Sequence, residues 1–152
     1  MKRMTTAMAI GLVCLAGTTG AQAPGSDAAD IVKGRQAGMM LSGVAMASIK
    51  AAIDAGQPPA SQRFSTRALA RWSHALPGLF PAGSGPDSGV TSGARAEVWT
   101  DRAGFEAKAA AYAEAADHLA ELAGGEDAAA FSAQWTVVRA SCQSCHDGYK
   151  AD

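Results

Sequence analysis

The sequence predicts an all-α protein, an antiparallel four-helix bundle. Alanine is abundant and strand-like alternation is absent. Four segments carry apolar residues at steps of 3 and 4, the period of a helix that buries one face. Two short turns and one long connection join these segments, a connectivity that suits a bundle with a single crossing loop.

The chain of 152 residues opens with a basic "MKRM", an apolar "TTAMAIGLVCLAG" and a small-residue "TTGAQA". That order reads as a secretory signal peptide over residues 1–23, cleaved after Ala23. Its apolar run, about 13 residues, is shorter than the roughly 20 a membrane-spanning helix needs. Cys14 belongs to this leader, because Gly11-Leu12-Val13 before it is a poor lipid-attachment signal. Residues 24–152 are then one domain by length. Loss of Lys2 and Arg3 with the leader takes the formal net charge from −1 to about −3. This gives no support to a nucleic-acid partner. No further segment reads as a membrane anchor.

The first helix is expected over 28–55. Ile31, Arg35, Met39, Ser42, Met46, Ile49 and Ile53 share one face, and Gly56 followed by Pro58-Pro59 stops it. The second, about 60–76, presents Phe64, Leu69, Trp72 and Leu76. Residues 77–98 lose periodicity and are rich in Gly, Pro and Ser, as one long crossing connection. The third helix starts near Thr100 or Asp101, both suitable N-caps. It carries Phe105, Tyr112, Leu119 and Leu122 and ends at Gly124-Gly125. The fourth runs from about Asp127 to Tyr149, with Phe131, Trp135, Val138, Cys142, Cys145 and Tyr149 on its apolar face.

The chemistry is concentrated in "CQSCHDGYK", residues 142–150. On a helix, Cys142, Cys145 and His146 stand at i, i+3 and i+4 and share the inward face. Each thiol can add to one vinyl group of a porphyrin, and the imidazole can serve as an axial iron ligand. Other readings of the motif are open. A thioredoxin-like dithiol calls for a βαβ context and a helix N-terminus. Structural zinc calls for four ligands, and only His74 and His118 could join. A local disulfide or a chance occurrence in a structural helix completes the set. The export signal and the inward position favour a bundle with one haem c attached through two thioether bonds.

The motif's place at the end of the last helix resembles the cytochrome c-prime family, the class II cytochromes c. "CQSCHDGYK" is similar to that family's Cys-x-x-Cys-His-x-x-aromatic-basic ending, with Tyr149 and Lys150 in the last two roles. "AEVWTDRAGFEAKAAAY" resembles the segment leading into its third helix, and "KGRQAGMM" its first-helix stretch. The likeness covers essentially all of 28–150. It implies that Arg35 lies near a haem propionate, an anion that an inward-facing cation requires. It implies that Phe80, in "LPGLFP", packs against the haem. It also implies that Met39, one turn beyond Arg35, covers the face opposite His146. Some relatives use a Met ligand from this helix, and others leave the iron five-coordinate beneath an apolar side chain and bind small gases. A methionine at helical spacing also serves as plain core packing.

The function expected from these readings is one-electron carriage in the periplasm between redox partner proteins. The alternative is a five-coordinate haem that binds nitric oxide or carbon monoxide. Enzymatic activity is not expected, because no acid–base constellation accompanies Met39. Trp72, Trp99 and Trp135 are candidates for either the haem pocket or the bundle core. Arg63, Arg67 and Arg71 form a basic stripe that reads as a solvated face, and His74 and His118 read as surface residues. Gly38, Ser42 and Ala45, small residues on one side of the first helix, hint at a homodimer.

Overall fold

The computed structural model describes residues 24–151. The leader expected over 1–23, with Cys14, lies outside the described residues. Four long helices form the bundle: α1 (Pro24–Asp54), α2 (Arg63–Ala75), α4 (Arg102–Leu122) and α5 (Ala128–Tyr149), with a short α3 (Glu97–Thr100) leading into α4. Helix α1 packs on α2 and α5, and α4 packs on α2 and α5, so each long helix touches two others. The described residues contain no strand, only an isolated bridge between Ala94 and Lys150.

Local chemistry sets the helix ends. Gly56 takes a left-handed φ of 63° after α1. Its N–H bonds to the Ile53 carbonyl at 3.0 Å, and that of Gln57 to the Ala52 carbonyl at 2.9 Å, satisfying carbonyls a helix end leaves free. The Asp101 carboxylate accepts from the Gly104 N–H at 3.2 Å and the Asp127 carboxylate from the Ala130 N–H at 2.9 Å. Both are side-chain N-caps at the expected positions.

The core runs from Ile49, Leu69 and Leu76 through Phe80, Val98 and Phe105 to Tyr112, Leu119, Phe131 and Val138. Each fully buried aliphatic or aromatic side chain contributes roughly 1.5–3 kcal/mol.

Several expectations are corrected. Phe64 is 87% exposed, not inward. Residues Pro59–Gln62 form a 3-10 turn, so α2 begins only at Arg63 and its buried face is Thr66, Leu69 and Ser73. On α1 the deepest residues include Val32 and Ala52 beside Arg35 and Ile49, while Ile31 is half-buried. Arg63 is not a freely solvated charge. Its guanidinium donates to the carbonyls of Ala123 (3.1 Å) and Gly124 (3.0 Å), capping the end of α4. The connection after α2 is ordered by 3-10 turns at Leu76–Leu79 and Pro86–Ser88, and Ser84 within it is buried. Asp27–Asp54 is long and apolar enough to cross a membrane by length and composition, which the sequence reading had not counted. It is nevertheless a bundle helix, because Arg35 and Ile49 are buried against the other elements. Gly38 has an intramolecular partner, since a Cβ there would overlap the Trp72 ring.

Candidate haem site

Helix α5 presents Cys142, Cys145 and His146 near its C-terminal end. Both thiols are free and half-buried, and His146 is exposed. Burial is the main cause that pushes both thiols above their ordinary range, and proximity to Cys145 adds to it for Cys142. That is the reverse of an activated redox dithiol, whose thiolate is stabilised at a helix N-terminus. His146 is held below its usual value, first by desolvation and then by Lys150. A neutral imidazole is the form that ligates a metal. Among the described residues no group of three or more His, Cys, Asp or Glu could hold a metal ion.

Two cavities flank this segment. The larger, about 390 Å³, is walled by Met46, Trp72, Tyr112, Trp135 and Cys142. The smaller, about 230 Å³, is walled by Arg35, Gln36, Phe80, Phe105 and Tyr149. Met39, Cys145 and His146 line both. Met39 of α1 therefore shares one slot with the motif on α5. Met40, its neighbour, is 73% exposed and points out of the bundle.

Arg35 closes one end of the smaller cavity. It is only 2% exposed. Its Nη1 donates to Ser84 Oγ at 3.0 Å and its Nη2 to Ser92 Oγ at 2.8 Å. The guanidinium carbon lies 4.7 Å from the Phe80 ring centroid and 5.5 Å from that of Trp99, a cation–π arrangement. Burial lowers its pKa, but an arginine stays protonated. No carboxylate reaches it among the described residues, and its Nε is buried without a partner. A buried cation with an orphaned donor requires an anion. A haem propionate would fit that requirement. The apolar walls, the two inward thiols and the imidazole fit the rest of the group. Phe80, 6% exposed, lines the smaller cavity edge-on to Trp99 and Phe105.

Ser84 and Ser92 were not expected from the sequence. They sit 49 and 57 residues from Arg35 in an aperiodic loop, so no local signal marks them. The segment after His146 is also held by unexpected partners. Arg95 N–H bonds to the Tyr149 carbonyl at 3.0 Å and Ala151 N–H to the Gly93 carbonyl at 2.9 Å. Of the three tryptophans, Trp72 and Trp135 line the larger cavity, whereas Trp99 backs Arg35 and donates to the Pro81 carbonyl at 3.0 Å. His74 is on the surface as expected but pairs with Asp117 at 2.8 Å, and His118 is exposed.

Comparison with known proteins agrees with this geometry. The cytochrome c' family profile matches residues 30–150. Cytochrome c' of Rhodospirillum rubrum is 30% identical over 154 residues, spanning 100% of both chains. That of Halomonas halodenitrificans is 30% identical, covering 81% of this chain and 97% of its own. Among solved structures, a cytochrome c' with a ligand-controlled dimer dissociation superposes with a TM-score of 0.75 at 25% identity, covering 86% of this chain and 98% of its own. Cytochrome c prime from Shewanella frigidimarina gives 0.74 at 28%, covering 82% and 97%. A nitric oxide complex of a cytochrome c prime variant from Alcaligenes xylosoxidans gives 0.73 at 26%, covering 82% of this chain and nearly all of the other. The chain belongs to the cytochrome c' family, and like that family it is a four-helix haem protein with a covalently bound haem c.

Proposed function

We propose that this cytochrome c' family member is an exported gas-binding haem protein. Cys142 and Cys145 carry the thioether tethers, His146 is the proximal ligand, and Met39 covers the opposite face without binding iron. The observation that carries this reading is the slot in which Met39, Cys145 and His146 line both cavities, with no second histidine and no carboxylate in either wall. When bound, the haem supplies an iron that can take up a diatomic ligand or exchange one electron. Arg35 orients the group by offering donors to a propionate. Phe80 and Phe105 exclude water on that side. Tyr149, packed at 5.5 Å against Phe105, seats the turn that follows His146.

The sequence reading put electron carriage first. The nitric oxide complexes of the Alcaligenes relative weigh toward the gas-binding alternative. Electron carriage keeps one observation in its favour, the thioether of Met39 in the wall it shares with His146. Optical spectra of the purified ferric and ferrous protein, with and without carbon monoxide, decide between them. A high-spin ferric spectrum and ready carbon monoxide binding are expected. A low-spin protein that resists carbon monoxide would make it a His/Met electron carrier.

Export and pairing complete the proposal. The mature chain begins near Pro24 in the periplasm, which N-terminal sequencing of the periplasmic fraction checks. Met40, Leu41 and Val44 are 73%, 68% and 61% exposed and share one face of α1. This apolar strip suits a second copy of the chain, in place of the Gly38 contact first suggested by the sequence.

A further inference from the structure

The larger cavity has a charged mouth that gas binding does not use. Lys50 of α1, Lys108 of α4 and Arg139 of α5 line it, and no Asp or Glu does. Lys50 is paired with Asp54 at 2.6 Å, whereas Lys108 and Arg139 are exposed and make no ion pair among the described residues. Lys108 Nζ donates to Ser144 Oγ at 2.6 Å, beside Cys145. Lys50 Nζ and Arg139 Cζ stand 5.8 and 6.0 Å from the Trp135 ring centroid. The chain as a whole is slightly acidic, and Glu114, Asp117 and Glu121 line one other depression. Helices α4 and α5 thus bring two unpaired cations to the rim of the cavity that Cys142, Cys145 and His146 line, beside the Lys50–Asp54 pair of α1.

We propose that this rim docks an acidic one-electron donor protein, which keeps the haem iron reduced. The donor loses one electron and the iron passes from ferric to ferrous, with no bond made or broken. A cationic ring around an apolar opening raises the local concentration of an anionic partner and steers its approach. The inference rests on the haem assignment and is independent of whether Met39 binds iron.

Stopped-flow reduction of the ferric holoprotein tests it, with ferrous EDTA (an anion), hexaammineruthenium(II) (a cation) and a reduced acidic flavodoxin as donors. The net negative charge alone would make ferrous EDTA react faster as salt rises. A cationic rim reverses the sign: ferrous EDTA and flavodoxin slow with salt, and hexaammineruthenium(II) speeds up. Lys108→Gln/Arg139→Gln should slow both anionic donors roughly threefold to tenfold at low salt, while Arg67→Glu on α2 leaves them unchanged. Acceleration of ferrous EDTA by salt in the wild type would overturn the docking surface. So would an equal effect of Arg67→Glu, or loss of haem loading in the double variant, which would assign the cations to the haem itself. A low-spin, carbon monoxide-resistant protein with the expected salt dependence would remove the gas-binding reading and keep the rim. A protein without covalent haem would remove both.

Discussion

The phenolic O–H of Tyr149 donates to Asp101 Oδ2 at 2.7 Å, tying the turn after His146 to the N-cap of α4. The hydrogen bond to Asp101 is the first cause that pushes the Tyr149 phenol up to about 12. A raised folded value means the contribution is fully present below the ordinary tyrosine pKa near 10 and is lost as pH rises through about 12. Ultraviolet difference titration should therefore show no phenolate from Tyr149 near pH 10. In Asp101→Asn, which removes the carboxylate, its titration should move back toward the ordinary range. Tyr112, raised by burial, titrates later still, so Tyr149→Phe identifies the signal.

Covalent attachment is the sharpest test of the motif. Haem should stay with the polypeptide through acid–acetone extraction and denaturing electrophoresis. Cys142→Ser or Cys145→Ser alone should leave one thioether, and the double variant should release the haem completely. Haem that remains attached to the double variant would displace the tether from these residues.

Gly38 should not tolerate a side chain. An added Cβ overlaps the face of the half-buried Trp72 ring, which also walls the larger cavity. Overpacking of this kind costs about 1–3 kcal/mol, so Gly38→Ala should lower Tm by roughly 3–10 °C. Gly34, with open space around its Cβ position, is the control, and Gly34→Ala should cost nothing.

The contrast between these residues and Arg35 marks what the sequence could convey. Asp101 was legible as a cap, and Asp127 as the start of the last helix, because helix starts are settled within three residues. The Cys142–His146 triplet was legible because its spacing alone puts it on one helical face. Phe64 was misplaced because it stands five residues before Leu69, about 140° around the helix at 3.6 residues per turn, so it falls on the solvent side of α2 while Thr66, Leu69 and Ser73 face inward. The serines that hold Arg35 were invisible because nothing near Ser84 or Ser92 records an interaction across the bundle. The glycine under Trp72 was read as a contact between two chains, because a small residue says only that something approaches closely, not what.

Disruption of the α1 strip should yield a monomer. Leu41 and Val44 are largely exposed and make little intramolecular packing, so Leu41→Arg should leave the fold and the optical spectrum intact. An unpaired charge placed in an apolar interface costs several kcal/mol, weakening association by on the order of 100-fold or more. Sedimentation velocity over a concentration series reads the change. A wild type that is monomeric throughout would leave the strip without this partner.

Met39 separates the two ways the haem can work. Its turn of helix is fixed from both sides: Arg35 is held by two serines, and Ser42 Oγ bonds the Met39 carbonyl at 2.8 Å. Replacement of the side chain therefore changes what fills the slot and not where the helix lies. If Met39 only covers the face opposite His146, the wild type is already high spin. Met39→Ala then widens the cavity, and carbon monoxide should bind faster by on the order of tenfold, about 1.4 kcal/mol off the entry barrier. If the sulfur binds iron, the wild type is low spin. Met39→Ala would then switch it to high spin, admit carbon monoxide for the first time and lower the potential, because thioether ligation favours ferrous iron. The proposal here expects the first pattern, and a spin-state switch in Met39→Ala would overturn it.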